Sequence, residues 1–390
     1  MKLSLPSTFI LLLLGFTTLW ILTACKPSPD TSLDAQLLNQ TGASVDLLTV
    51  NYAKGFSFKY ENGIRKLQLH TTGGDTTIIT LYPKSADGSQ VSLTTPHIEV
   101  PISNMMLTST AHVAMIDYLE AIEQIGGVAN ADFIQNEVVK DYLAAGKILN
   151  IGNDQNLQTE VILSAEPEVI STVGALSLPQ SGLGILAETG IYVLPIFEWQ
   201  ETSLLARAEW VKVFAALVGK EELVQEKFSR LATRYKSLQR LQDTLTSRPR
   251  VLYGTPYRGV WYVPGGKSFV ASMLKDAGAS YAWFSDSSAV TLPLALEAVY
   301  PEALAADYWL VSGAELDLET LMSVDERFRD FRPTKLGEVY ANNLQMKVGS
   351  GNNIYEKGIM EPDMILADLI KLLHGGSLPE HSFQYYRKLE

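Results

Sequence analysis

The hydrophobic period of this chain changes along its length, and each change predicts a change of architecture. Between residues 44 and 100 apolar positions alternate: Gly55-Phe-Ser-Phe-Lys-Tyr60 and Ile64 to Thr71 follow a period of two, and Thr76 to Tyr82 is rich in β-branched residues. Gly63 and Gly73-Gly74 mark turns between them, so a hairpin layer is expected, with His97 to Val100 as one more strand and Pro101 to Leu107 as a loop. From Thr108 the spacing becomes helical. Thr108 or Ser109 can cap a helix carrying Val113, Ile116, Leu119 and Ile122, which Gly126-Gly127 breaks.

Short helices and strands then alternate. Asn156 to Ala165 and Leu183 to Thr189 read as helices, and Glu168 to Thr172 and Ile191 to Ile196 as buried strands. Leu204, Leu205, Ala208, Val211, Phe214, Ala215 and Val218 form one apolar stripe ended by Gly219. Glu221 to Leu245 continues as the longest helix, about 37 Å at 1.5 Å per residue, and stops at Ser247-Arg-Pro249. The alternation resumes with strands at Arg250 to Tyr253, Tyr308 to Val311 and Glu338 to Tyr340. Helices are expected at Ser268 to Ala277, Leu318 to Ser323 and Pro362 to Leu373. This order predicts an α/β protein: two Rossmann-like lobes, each with a covered parallel sheet, joined by a single long backbone helix, plus an extra N-terminal β-rich segment.

The first 40 residues follow neither period. Lys2 precedes an apolar run from Phe9 to Leu22, and Leu22-Thr23-Ala24-Cys25 closes it with small residues before the chain's one cysteine. The run is short for a spanning helix, which needs about 20 apolar residues, and has the form of a secretory signal. The tetrapeptide resembles the bacterial lipobox, so residues 1–24 are expected to be a lipoprotein signal peptide and Cys25 the lipidated residue. The Pro- and Ser-rich stretch through residue 40 is expected to be a flexible tether. The expected domains are then an N-terminal lobe at 41–200, a helical linker at 201–247 and a C-terminal lobe at 248–390.

Composition narrows the function. A formal net charge of −12 lacks the basic footprint that nucleic acid requires. The five histidines are scattered without metal-ligand spacing, so neither a metal site nor a cofactor is expected. No G-x-S-x-G, H-E-x-x-H, P-loop or C-x-x-C motif is present, and the expectation is a protein that is not an enzyme.

Several stretches, in order, carry a family resemblance: Asn156 to Glu160 leading to Pro167-Glu-Val-Ile170, Leu186-Ala-Glu-Thr-Gly190-Ile-Tyr-Val, Ala208-Glu-Trp210 to Gly219-Lys-Glu221, Gly265-Gly266-Lys-Ser268 to Ala279, and Asn352-Asn353-Ile-Tyr-Glu356 to His374. Over roughly residues 98 to 376 the chain resembles the substrate-binding lipoproteins of ABC importers for iron complexes and cobalamin. Glu168 stands where that family usually has aspartate. The resemblance implies a monomer held at the cell envelope by lipid, on the periplasmic side in a Gram-negative cell. It would deliver an iron complex (siderophore or haem) or a cobalamin-like corrinoid to an ABC permease. The alternatives are a non-transport surface lipoprotein that binds another protein, or a periplasmic enzyme.

In open α/β sheets ligands sit beyond the carboxyl ends of the strands. That rule selects Tyr257, Arg258, Trp261 and Tyr262 after Tyr253, and Glu198 and Trp199 after Ile196. Met105, Trp283 and Tyr355 complete the expected ligand-binding set. Aromatic rings suit a macrocycle, and an arginine suits a carboxylate or phosphate. The cobalamin binders of the family place tryptophans where this chain has Gly152-Asn153 and Thr172-Val173. The family also pairs one exposed acid per lobe with permease arginines; by spacing to Pro362 this is Glu356, and its N-lobe counterpart falls near Gln180.

Overall fold

The computed structural model describes residues 48–390, apart from 62–63, 72, 85–95, 154–155, 175–182, 313–316 and 348–350. The signal segment, Cys25, the tether and Gln180 lie outside the described residues.

The alternating N-terminal segment forms a four-stranded sheet, β1 (Phe56–Glu61), β2 (Ile64–His70), β3 (Thr76–Pro83) and β4 (His97–Val100), in the order β1-β2-β3-β4. The first three strands are antiparallel, and β4 joins β3 in parallel. Phe56, Leu67, Leu69, Ile79 and Leu81 are buried, as a half-buried sheet with period two requires.

The N-terminal lobe is a parallel sheet in the order β11-β10-β5-β6-β7: β5 (Met105–Leu107), β6 (Ile125–Val128), β7 (Leu149–Asn150), β10 (Val169–Val173) and β11 (Tyr192–Ile196). A short ribbon, β8 (Gly152–Asn153) with β9 (Asn156–Leu157), follows β7. Helices α1 (Thr110–Tyr118), α2 (Glu137–Ala144), α3 (Thr159–Ser164) and α4 (Leu183–Glu188) connect the strands. Ser109 caps α1, its hydroxyl accepting from the Ala111 N–H. Two strands run where the sequence pattern predicts a loop and a break. β5, inside the expected loop, is the central strand. β6 passes through Gly126-Gly127, where Met106 and Ile151 leave no room for a side chain on Gly127.

The connection between lobes is helical: α5 (Leu204–Glu209), α6 (Val211–Val218) and α7 (Glu221–Leu241). The backbone helix α7 has 21 residues, about 32 Å, and ends earlier than expected because Gln242–Thr244 tighten into a 3-10 turn. Val224, Phe228, Leu231, Ala232 and Tyr235 form its buried stripe. Its polar side chains grip both lobes. Lys227 donates to the Tyr118 carbonyl at 2.6 Å, Tyr235 to Asp276 at 2.6 Å and Arg234 to Asp363 at 2.6 Å.

In the C-terminal lobe, β12 (Val251–Tyr253), β16 (Tyr308–Val311) and β17 (Val339–Ala341) are parallel, and β18 (Arg387–Lys388) closes the edge antiparallel. A second sheet, β13 (Pro256–Tyr257), β14 (Val260–Pro264) and β15 (Thr291–Ala295), is antiparallel. Helices α8 (Phe269–Asp276), α9 (Leu296–Ala305), α10 (Leu318–Val324), α11 (Arg332–Leu336) and α12 (Pro362–Leu373) pack around them. Among the described residues no helix is long and apolar enough to cross a membrane.

The β1–β4 layer is fastened to the connecting helices by buried carboxylates. Glu209 accepts the backbone N–H groups of Asn51, Tyr52 and Ala53 and the Lys212 ammonium at 2.8 Å. Glu201 accepts those of Lys54 and Gly55 and the indole N–H of Trp210 at 3.0 Å. Phe56 packs on Trp210 with ring centroids 4.9 Å apart.

Candidate functional site

The carboxyl ends of strands from both lobes converge on one cleft. From the N-terminal lobe come Trp199 to Thr202, just past β11; from the C-terminal lobe come Gly254 and Thr255 after β12, and Ser312 after β16. Tyr262 on β14, Phe269 at the start of α8 and Val290 before β15 complete a largely apolar wall around a cavity of about 640 Å³. That lies within the range of small-molecule sites. Trp199 and Tyr262 are 50% and 44% exposed, so two aromatic faces are presented to the cavity from opposite lobes.

Tyr253 and Phe269 also line a narrower recess, with Arg207, Asn342, Tyr355 and Tyr386. Arg207 sits on α5, and among the described residues its side chain makes no hydrogen bond or ion pair; its Nε is buried without a partner. The guanidinium lies over the Phe269 ring, 4.8 Å from its centroid. Burial works against this charge, and the field of Glu198 restores part of it. Burial also opposes ionisation of Glu198, but His112 and Arg207 overcome it and hold that carboxyl below its usual range. The His112 ring bonds Ser171 Oγ at 2.9 Å and stands 4.0 Å from Glu198. An unpaired, largely buried cation beside aromatic rings is costly to keep, and its natural complement is an anionic group brought by a ligand.

A two-lobed cleft between parallel sheets, bridged by one long helix, agrees with comparison against known proteins. The model of the family described as periplasmic binding protein matches residues 108–340, more than half of the chain. The chain belongs to the periplasmic binding protein family. An uncharacterized lipoprotein of Methanocaldococcus jannaschii is 24% identical over 306 residues, spanning 75% of this chain and 70% of that protein. Among solved structures, a possible iron-binding periplasmic solute-binding protein of Staphylococcus epidermidis shares the fold with a TM-score of 0.55 at 15% identity, covering 70% of this chain and 99% of that one. The periplasmic haem-binding protein HutB of Vibrio cholerae does so with a TM-score of 0.54 at 17% identity, covering 68% and 97%.

In this periplasmic binding protein the expected site residues separate into three groups. Trp199 and Tyr262 line the cleft, and Tyr355, 55% exposed, lines the recess beside Arg207. Tyr257 and Arg258 lie at the tip of the β13–β14 hairpin, outside the cleft lining, where Arg258 adopts a left-handed backbone and stacks over Tyr257 at 5.2 Å. The remaining expectations are corrected. Trp261 is fully buried against Trp309, Phe328 and Phe331, because β14 alternates and sends Trp261 inward where Tyr262 goes outward. Met105 is a core residue of the central strand β5, and Glu198 is buried facing His112. Trp283 packs on Tyr281 between two cores, at 5.2 Å. Glu356 is 3% exposed and accepts the Gln135 and Asn136 N–H groups at 2.7 Å each, so it latches one lobe to the other and offers no exposed charge for a permease. Arg207 was not selected from sequence, since it lies within a helical apolar stripe and not after a strand.

Proposed function

We propose that this periplasmic binding protein captures an anionic metal chelate, a ferric siderophore or haem, in the inter-lobe cleft and releases it unchanged to an ABC permease; a cobalamin-like corrinoid is the variant of this reading with the same aromatic demand. The observation that carries it is the unpaired Arg207 guanidinium beside a cavity walled by Trp199, Tyr262 and Phe269. Aromatic faces stack on a flat or lipophilic chelate, and the guanidinium donates hydrogen bonds to its carboxylate or hydroxamate oxygens. The two structural neighbours, a possible iron-binding protein and a haem-binding protein, support this choice of cargo. Lipid on Cys25 would keep a monomeric binder at the envelope and raise its concentration at the permease. The lipobox-like segment and the lipoprotein relative support that anchoring.

Titration of tryptophan fluorescence with ferric siderophores, haem and cobalamin tests the reading. Quenching by an anionic chelate, diminished in Trp199→Phe, is the expected result. Absence of quenching by every member of the panel would favour the non-transport surface lipoprotein.

A further inference from the structure

Next to the cleft lies a second chamber of about 680 Å³ that shares Thr202, Ser268 and Ala289 with it. Its charged lining is of one sign: Lys54, Arg248, Lys267 and Lys275, with no carboxylate. This is unusual in a chain of net charge −12. Among the described residues none of the three lysine ammonium groups has an ion pair or hydrogen bond, and Arg248 donates only to the Gln242 carbonyl. Carboxylates on neighbouring elements are held by neutral donors and none pairs with these ammonium groups. Asp276 accepts from Tyr235 and Gln239, Asp286 from the Ser288 N–H, and Glu201 from Lys54, Gly55 and Trp210. Four like charges around one hollow repel each other, and an anion held between them relieves that repulsion.

The chamber also gives the β1–β4 layer a purpose. Lys54 arrives just before β1, and Glu201 fixes its backbone at 2.9 Å, so the layer places a cation at the cleft that the two lobes alone lack. We infer that this chamber is an anion subsite of the cleft, receiving a phosphate- or carboxylate-bearing arm of the ligand whose body lies against Trp199 and Tyr262. The inference rests on the cleft being the solute site.

Calorimetry with inorganic pyrophosphate on the purified full-length protein tests the chamber without reference to the natural cargo. The wild type should bind, with affinity falling steeply as NaCl rises from about 50 to about 500 mM. The exposed-lysine variant Lys54→Gln/Lys267→Gln/Lys275→Gln, checked for unchanged melting, should bind about tenfold more weakly. In a parallel titration with neutral and multiply anionic ferric chelates, the variant should lose affinity for the anionic ones alone. No pyrophosphate binding by the wild type, or equal binding by the variant, overturns the subsite. Pyrophosphate binding without any chelate binding would retain an anion site and remove the proposed cargo. Chelate binding with an indifferent variant would do the reverse.

Discussion

Replacing Arg207 with methionine should make the protein more stable and less able to bind. The guanidinium Nε is buried without a partner among the described residues, and the Phe269 ring and the field of Glu198 offset only part of the cost of burial. An uncompensated buried ion costs several kcal/mol, and a cation–π contact returns about 0.5–2 kcal/mol of it. Methionine fills the same channel without the charge, so the net gain should be about 1–2 kcal/mol in urea unfolding. The binding side has the opposite sign. A charge-assisted hydrogen bond from Arg207 to an anionic chelate is worth about 1.5–3 kcal/mol, so the variant should bind roughly 10- to 150-fold more weakly. Denaturation and fluorescence titration on the same preparation measure both. A variant destabilised by about 1 kcal/mol or more, with unchanged affinity, would show that Arg207 is structural and makes no contact with the ligand.

Three further outcomes follow from the geometry. Glu209→Ala strands three backbone N–H groups and leaves Lys212 buried without its carboxylate, so it should cost about 4 kcal/mol in urea unfolding, part of which Glu209→Ala/Lys212→Met should recover; a loss under about 1 kcal/mol would contradict the fastening of the β-layer. Trp261→Ala should cost about 3–5 kcal/mol with its core position, whereas Trp199→Ala should stay within about 0.5 kcal/mol of wild type by thermal melting and lose the chelate signal. Burial holds the Glu356 carboxyl above its ordinary 4.5, against the pull of the Gln135 and Asn136 N–H groups, so the folded state takes up its proton more readily than the unfolded chain. Its contribution to stability is therefore fully present below pH 4.5 and lost as pH rises from there through the folded value; the stability of wild type minus Glu356→Gln should decline across that window, and a flat difference would contradict the assignment.

The architecture was legible because its signals are local. Ser109 caps α1 as its side chain and position demand, Pro362 opens α12, and the stripe from Val224 to Tyr235 identifies α7 as the bridge. The strands that escaped notice are those whose apolar character is masked by context. Gly126-Gly127 reads as a break until the neighbouring Met106 and Ile151 explain why no side chain fits, and Met105–Leu107 is three residues long. The site was legible only in outline. The rule of strand carboxyl ends selected Trp199 and Tyr262, which line the inter-lobe cavity, yet the same Gly- and Pro-rich stretch concealed β14, whose alternation sends adjacent Trp261 into the core. Glu356 looks in sequence like any solvated acid, and its inter-lobe bonds join positions more than 200 residues apart. Arg207 is unreadable for the same reason: its isolation depends on Phe269, Tyr355 and Asn342 arriving from another lobe.

The most direct measurement is a crystal structure of the protein with a bound ferric chelate or haem. The chelate should lie between Trp199 and Tyr262, with an acidic oxygen about 2.7–2.9 Å from the Arg207 guanidinium. A chelate bound at the Tyr257–Arg258 hairpin tip or on the β1–β4 layer, with Arg207 still unpaired, would contradict it.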